Sequence, residues 1–126
     1  MKGFELMYSH YGEFVKVPKY RNKKVIQDGI WFDSKKEARR YAELKALEKA
    51  GVISHLFLQV RFKVCPRIEG VKGSRDRYYV ADFVYSENGV DVIEDVKSEI
   101  TRKNPVYTLK RQLVQWQYPE YDFREY

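Results

Sequence analysis

Apolar and polar positions along the chain predict a helix, three strands, a second helix and a closing strand. Between residues 34 and 50, Tyr41, Leu44 and Leu47, with Ala38 and Ala42, recur at helical spacing, and Gly51 suits a left-handed C-cap. At about 100° per residue, Glu37 falls inside that stripe, one turn before Tyr41, whereas Glu43 falls outside it. Over residues 52–64, Leu56, Leu58, Val60, Phe62 and Val64 alternate with Phe57, Gln59, Arg61 and Lys63, the period of a strand. Residues 78–98 hold two runs rich in Val, Tyr, Phe and Ile on either side of Asn88-Gly89, a pair that tolerates positive φ at both positions and predicts a tight hairpin. Asn104-Pro105 starts the second helix, with Val106, Leu109, Leu113 and Trp116 as its packing side, and Tyr118-Pro119 ends it. Residues 121–126 alternate as a closing edge strand, and residues 25–32 read as a small hairpin turning at Asp28-Gly29, with Trp31 and Phe32 leading into the core. The connection from residues 90–97 through the second helix is long enough for a right-handed parallel crossover, which gives an α/β fold with a mixed sheet flanked by helices.

The hairpin register carries the chemistry. A two-residue turn at Asn88-Gly89 sets Glu87 opposite Val90, and counting back sets Asp82 opposite Asp95. Lys97 then shares the face of Asp95, while Glu94 and Val96 point the other way. A four-residue loop would keep Asp82 on that face; an odd-length loop would move it to the other. Two carboxylates a few ångström apart repel each other, which a divalent cation or a raised pKa relieves. The plainer alternative is a pair of solvated charges, Asp95 and Lys97, beside a salt-bridged Asp82. Glu37 has two readings of the same kind. Ser34-Lys35-Lys36-Glu37 is a capping box, in which the Glu37 carboxylate bonds the Ser34 N–H; as an acid on an inward helix face it would instead need a partner or a metal.

Composition narrows the setting. At 126 residues, 44% hydrophobic and 33% charged, the chain is expected to be one globular domain, residues 1–126. A net charge of +6 favours an anionic partner such as nucleic acid. Lys19, Arg21, Lys23 and Lys24 make residues 1–24 a basic extension, either an arm along a phosphate backbone or a segment packed on a partner subunit. Arg102, Lys103, Lys110 and Arg111 add positive charge close to Asp95 and Lys97. A basic, Gly-containing loop over residues 66–77 is expected to be exposed and mobile. The single cysteine, Cys65, excludes an internal disulfide and fits a reducing compartment. With only His10 and His55, a histidine-based zinc site is not expected. No signal peptide or membrane-length apolar run is apparent, so a cytoplasmic protein is expected.

Glu37 on a helix, then Asp82, then Asp95-Val96-Lys97 on the next strand, resembles the PD-(D/E)xK nuclease superfamily, as does the order of the elements. More narrowly, F-D-S-K-K-E-A-R-R-Y-A-E-L-K, G-V-I-S-H-L-F-L-Q, Y-V-A-D-F-V-Y and V-I-E-D-V-K-S resemble a family of small phage and prophage proteins of unknown function placed in that superfamily, from about Tyr20 to the C-terminus. The resemblance implies a restriction-endonuclease-like core with an N-terminal hairpin or arm. It further implies a divalent-metal-dependent DNA endonuclease, structure-selective and serving phage recombination, replication or packaging in the host cytoplasm. Mg²⁺ or Mn²⁺ would be held by Asp82, Asp95, the Val96 carbonyl and Glu37, and Lys97 would hold or polarise the attacking water; Lys110 is a further candidate. DNA is the implied partner, a homodimer the implied assembly where two strands are cut, and no organic cofactor is implied. The competing implication is a catalytically silent nucleic-acid-binding or assembly module on the same fold. Two departures stand out: Ala81 occupies the Pro position of the motif name, and Asp95 is the shorter acid.

Overall fold

The computed structural model describes residues 4–8, 14–18 and 24–126. Phe4–Tyr8 (β1) pairs antiparallel with Phe14–Pro18 (β2), and Val25–Gln27 (β3) with Ile30–Phe32 (β4). Lys19, Arg21 and Lys23 lie outside the described residues. The β3–β4 turn falls at Asp28 and Gly29, both at positive φ (53° and 75°), as its Asp-Gly sequence requires. Phe32 enters the core as expected, but Trp31 does not; one residue earlier in the pleat, it faces outward and is exposed.

Lys35–Lys49 (α1) is capped by Ser34 and ends at Ala50, with Gly51 at φ 81°. Its buried side is Glu37, Ala38, Tyr41 and Leu44, while Ala42, expected in the stripe, is exposed. Ser54–Cys65 (β5), Arg77–Glu87 (β6), Val90–Asp95 (β7) and Asp122–Glu125 (β8) form a mixed sheet in that order. The first two pairings are antiparallel and β7–β8 is parallel. The link between β7 and β8 carries Glu99–Arg102 (α2), which periodicity did not predict, and Pro105–Gln117 (α3), whose Asn104 cap accepts from the Val106 and Tyr107 N–H groups. No described helix is long and apolar enough to cross a membrane.

Two apolar clusters lie on opposite sides of the sheet. Phe32, Ala38, Tyr41, Leu44, Phe83, Tyr85 and Val92 form the α1 side. Phe62, Val64, Tyr79, Ala81, Val84, Ile93 and Val114 form the α3 side. The apolar positions of β5 were expected on one face, and they are not. Leu56 and Leu58 pack with the α1 cluster, whereas Val60, Phe62 and Val64 pack with the α3 cluster. The switch is Gln59, whose φ of 53° interrupts the pleat. Across the ladder, between the pairs Leu58–Phe83 and Val60–Ala81, β6 changes face at Asp82. Both strands therefore break their alternation on the rung that carries the acid.

The packing side of α3 keeps Leu113, as expected, but not the other three residues of the stripe. Val106, Leu109 and Trp116 are 63%, 60% and 72% exposed. The helix instead seats fully buried Val114 on the sheet, with Tyr107, Leu113 and Tyr118 packed around it. Two apolar stripes compete on this helix, and the aromatic one engages: Tyr107 packs near Tyr79 and Tyr118 edge-on to Phe62.

Glu94 points away from Asp95 and is 1% exposed. Arg40 on α1 grips it with two hydrogen bonds of 2.6 and 2.9 Å, and the Tyr85 hydroxyl donates to it at 2.6 Å. This fork pins α1 across β7 and so places Glu37, one turn earlier, at the end of the sheet.

Candidate functional site

The hairpin adopts the two-residue register: Glu87 pairs with Val90 and Phe83 with Glu94, so the next rung sets Asp82 against Asp95. The two aspartates interlock through the backbone. The Asp82 N–H donates to Asp95 Oδ1 at 2.9 Å, and the Val96 N–H donates to Asp82 Oδ2 at 2.9 Å. Lys97 places its ammonium 3.4 Å from Asp82 Oδ2 and 3.6 Å from Asp95 Oδ1. Asp82, Asp95 and Lys97 are thus brought together.

Glu37 joins them from α1. The Ser34 hydroxyl accepts from the Glu37 N–H at 3.1 Å, which is half of the capping box. The Glu37 carboxyl lies along a cavity of about 280 Å³ lined also by Asp33, Ser34, Asp82, Val96 and Lys97. Ser34 thus caps the Glu37 backbone, while the Glu37 side chain lines the cavity beside Asp33 and Asp82.

Burial dominates the electrostatics here. It pushes the Glu37 carboxyl up to about 9, with help from Asp82 and Asp33 and against the pull of Lys97. Burial also raises Asp82 and Asp95, although Lys97 and the backbone N–H groups oppose the shift in both. For Lys97, burial acts downward, but Asp82, Asp95 and Glu37 outweigh it and leave the ammonium above its ordinary value. At neutral pH Glu37 therefore carries its proton and Lys97 is firmly charged.

Two neighbours were not singled out from the sequence. Asp33 immediately precedes the helix cap, lines the cavity and has a buried oxygen, Oδ1, without a hydrogen-bond partner among the described residues. Its adjacency to Ser34 in F-D-S-K-K-E was the available signal. Tyr107, one turn into α3, sets its ring 5.5 Å from the Lys97 ammonium and donates its hydroxyl to Glu125 at 2.5 Å. It occupies the facing-helix position considered for Lys110, which is half-buried and makes none of the described contacts with the cluster.

The basic candidates are scattered. Lys103 is exposed; Lys24, Arg102, Lys110 and Arg111 are half-buried. Arg111 pairs with Glu125 at 3.1 Å.

Among the described residues, no group of three or more His, Cys, Asp or Glu side chains stands arranged to hold a metal ion. The donor chemistry nevertheless fits a hard divalent cation: the cavity gathers carboxylate oxygens, and Asp95 Oδ2 is buried without a hydrogen-bond partner. Lys97 pairs with both aspartates as they stand, so their carboxylates would have to turn from the ammonium toward an ion.

Residues 17–124 match the model of a family described as "Protein of unknown function (DUF1064)". The chain belongs to this family. No curated protein and no solved structure matches it. The family assignment spans the Ser34 cap, the hairpin and α3, and therefore every residue of the acid cluster.

Proposed function

We propose that this DUF1064 member is a divalent-metal-dependent endonuclease with a restriction-endonuclease-like core, hydrolysing phosphodiester bonds in DNA. The observation that carries the proposal is the approach of the Lys97 ammonium to both Asp82 and Asp95, beside a cavity lined by Asp82, Lys97 and Glu37. Asp82, Asp95, the Val96 carbonyl and Glu37 would hold Mg²⁺ or Mn²⁺, which when bound would acidify water and offset charge on the scissile phosphate. Lys97 would orient the attacking water through its N–H donors and stabilise negative charge as the phosphorus becomes five-coordinate. Tyr107 would keep the ammonium in place through its ring face. Glu37, protonated when the site is empty of cation, would lose that proton when positive charge arrives.

A second reading has its own support. The backbone N–H groups and Lys97 already engage both aspartates, as they would in a binding module that has no cleavage chemistry. One assay separates the two. The purified protein is incubated with branched, nicked, double-stranded and single-stranded DNA plus Mg²⁺ or Mn²⁺, beside Asp82→Ala and Lys97→Ala. Cleavage by the parent that both variants lose is expected. Salt-sensitive binding with no cleavage under any condition would favour the module instead.

A further inference from the structure

The face switch at Gln59 and Asp82 leaves part of the sheet without a covering helix among the described residues. Beyond it, Val60, Phe62, Val64, Tyr79 and Ala81 all turn to the α3 cluster, so the intervening positions point to the opposite side. There Arg61, Lys63 and Val80 are exposed, and Tyr78 is half-buried beneath the Arg61 guanidinium, 4.0 Å from its ring centroid. The loop joining β5 to β6 continues the charge with Arg67, Lys72 and Arg75, followed by Arg77 at the start of β6, all of them exposed. Residues 61–80 contain six Lys or Arg against two Asp or Glu, a net charge of +4. The loop is also braced. The Arg67 N–H donates to Asp76 at 2.8 Å, the Ile68 N–H donates to Ser74 at 2.7 Å, and Lys63 pairs with Asp76 at 3.3 Å.

From this surface we infer that the β5–β6 arm is the nucleic-acid-binding element of the protein and engages the sugar-phosphate backbone. Charge complementarity selects the partner: the strip exposes Ile68, Val71 and Val80 as well, but its six cations against two acids suit a polyanion. The stacked Arg61 guanidinium is pre-ordered for phosphate and gives up less rotamer freedom on binding. β6 runs from Tyr78 and Val80 directly into Asp82, so a strand lying along the arm is led to the acid cluster. The inference rests on the phosphodiester reading of that cluster for its substrate class, but it concerns binding and not cleavage.

The test is therefore done without divalent cation. Fluorescence anisotropy in EDTA measures binding of labelled duplex and single-stranded DNA by the parent, by Arg61→Gln/Arg75→Gln/Arg77→Gln, and by Arg39→Gln/Lys45→Gln/Lys49→Gln on α1. All six positions are exposed, and thermal melting checks that each variant folds. The arm variant is expected to bind at least one DNA form about tenfold more weakly at moderate salt, with a log K against log salt slope shallower by about 2–3. The α1 variant removes the same charge and is expected to stay within about threefold of the parent. Equal weakening by both variants would reduce the effect to net charge and overturn the assignment. So would an unchanged arm variant, or no saturable DNA binding by the parent. Because Asp82→Asn is expected to abolish cleavage while keeping EDTA-state binding, the nuclease reading and the arm reading fail separately.

Discussion

Lys97 holds its ammonium 3.4 Å from Asp82 and 3.6 Å from Asp95, and both carboxylates are almost wholly withdrawn from solvent. Neither aspartate is comfortable there alone. Removing one partner of a buried ionic cluster leaves uncompensated charge, and Lys97→Met is expected to cost ~3 kcal/mol in divalent-free urea unfolding. Added Mg²⁺ should restore part of that loss, because a cation can replace the missing charge. Wild-type stability in Lys97→Met, with or without Mg²⁺, would contradict this account of the cluster.

Glu37 gives a pH test with a definite sign. Its folded-state value of about 9 lies above its ordinary 4.5, so the folded protein holds the proton more tightly than the unfolded chain. The stabilising contribution is complete below about pH 4.5 and is lost progressively as pH rises through 9. Glu37→Gln keeps the neutral form at all pH. Urea midpoints should therefore fall less steeply between neutral and alkaline pH in the variant than in the parent, with the variant the more stable near pH 9. A parallel decline in both proteins would remove Glu37 as the source.

The fork between Arg40 and Glu94 predicts an asymmetry between single and double substitution. Glu94 is 1% exposed and takes two bonds from Arg40 and one from Tyr85. Arg40→Met is expected to destabilise by ~3–5 kcal/mol, since it strands a buried carboxylate, whereas Arg40→Met/Glu94→Leu should recover most of that loss. Chemical denaturation of the three proteins checks it.

Gln59 predicts a backbone effect. Its φ of 53° sits where a side chain is tolerated poorly and a β-branched one worst. Gln59→Gly should leave stability within about 1 kcal/mol, while Gln59→Val should cost ~1–3 kcal/mol. The reverse order in thermal melts would mean that the strand passes this point without a switch.

Much of this was legible in the sequence, for reasons that differ by element. Asn88-Gly89 announced its turn because few residue pairs accept two positive φ angles, and the facing of Asp82 and Asp95 followed from counting. Ser34 and Asn104 marked helix starts because their side chains replace the missing acceptors of a first turn. The face switch was not legible. Leu56 through Val64 keep perfect alternation in type, and nothing about glutamine at position 59 announces a positive φ; only packing on two opposite helices shows it. On α3, Leu113 packs as its spacing indicates, but Val106, Leu109 and Trp116 stay exposed, because the sheet offers Phe62 and Tyr79 and the tyrosine-bearing side matches them. Asp33 and Tyr107 join the site through tertiary placement, Asp33 by the entry to α1 and Tyr107 by the return of α3 over β5 and β6. Neither lies in the spacing that first pointed to Asp82, Asp95 and Lys97.

Calorimetric titration with Mn²⁺ decides whether these carboxylates hold a hard divalent cation, as proposed. At neutral pH the account predicts saturable binding accompanied by proton release, seen as a dependence of the heat on buffer ionisation enthalpy, because Glu37 begins protonated. Asp82→Asn and Asp95→Asn should each abolish that binding while the proteins remain folded. Absence of saturable binding by the parent, or undiminished binding by both variants, would contradict it.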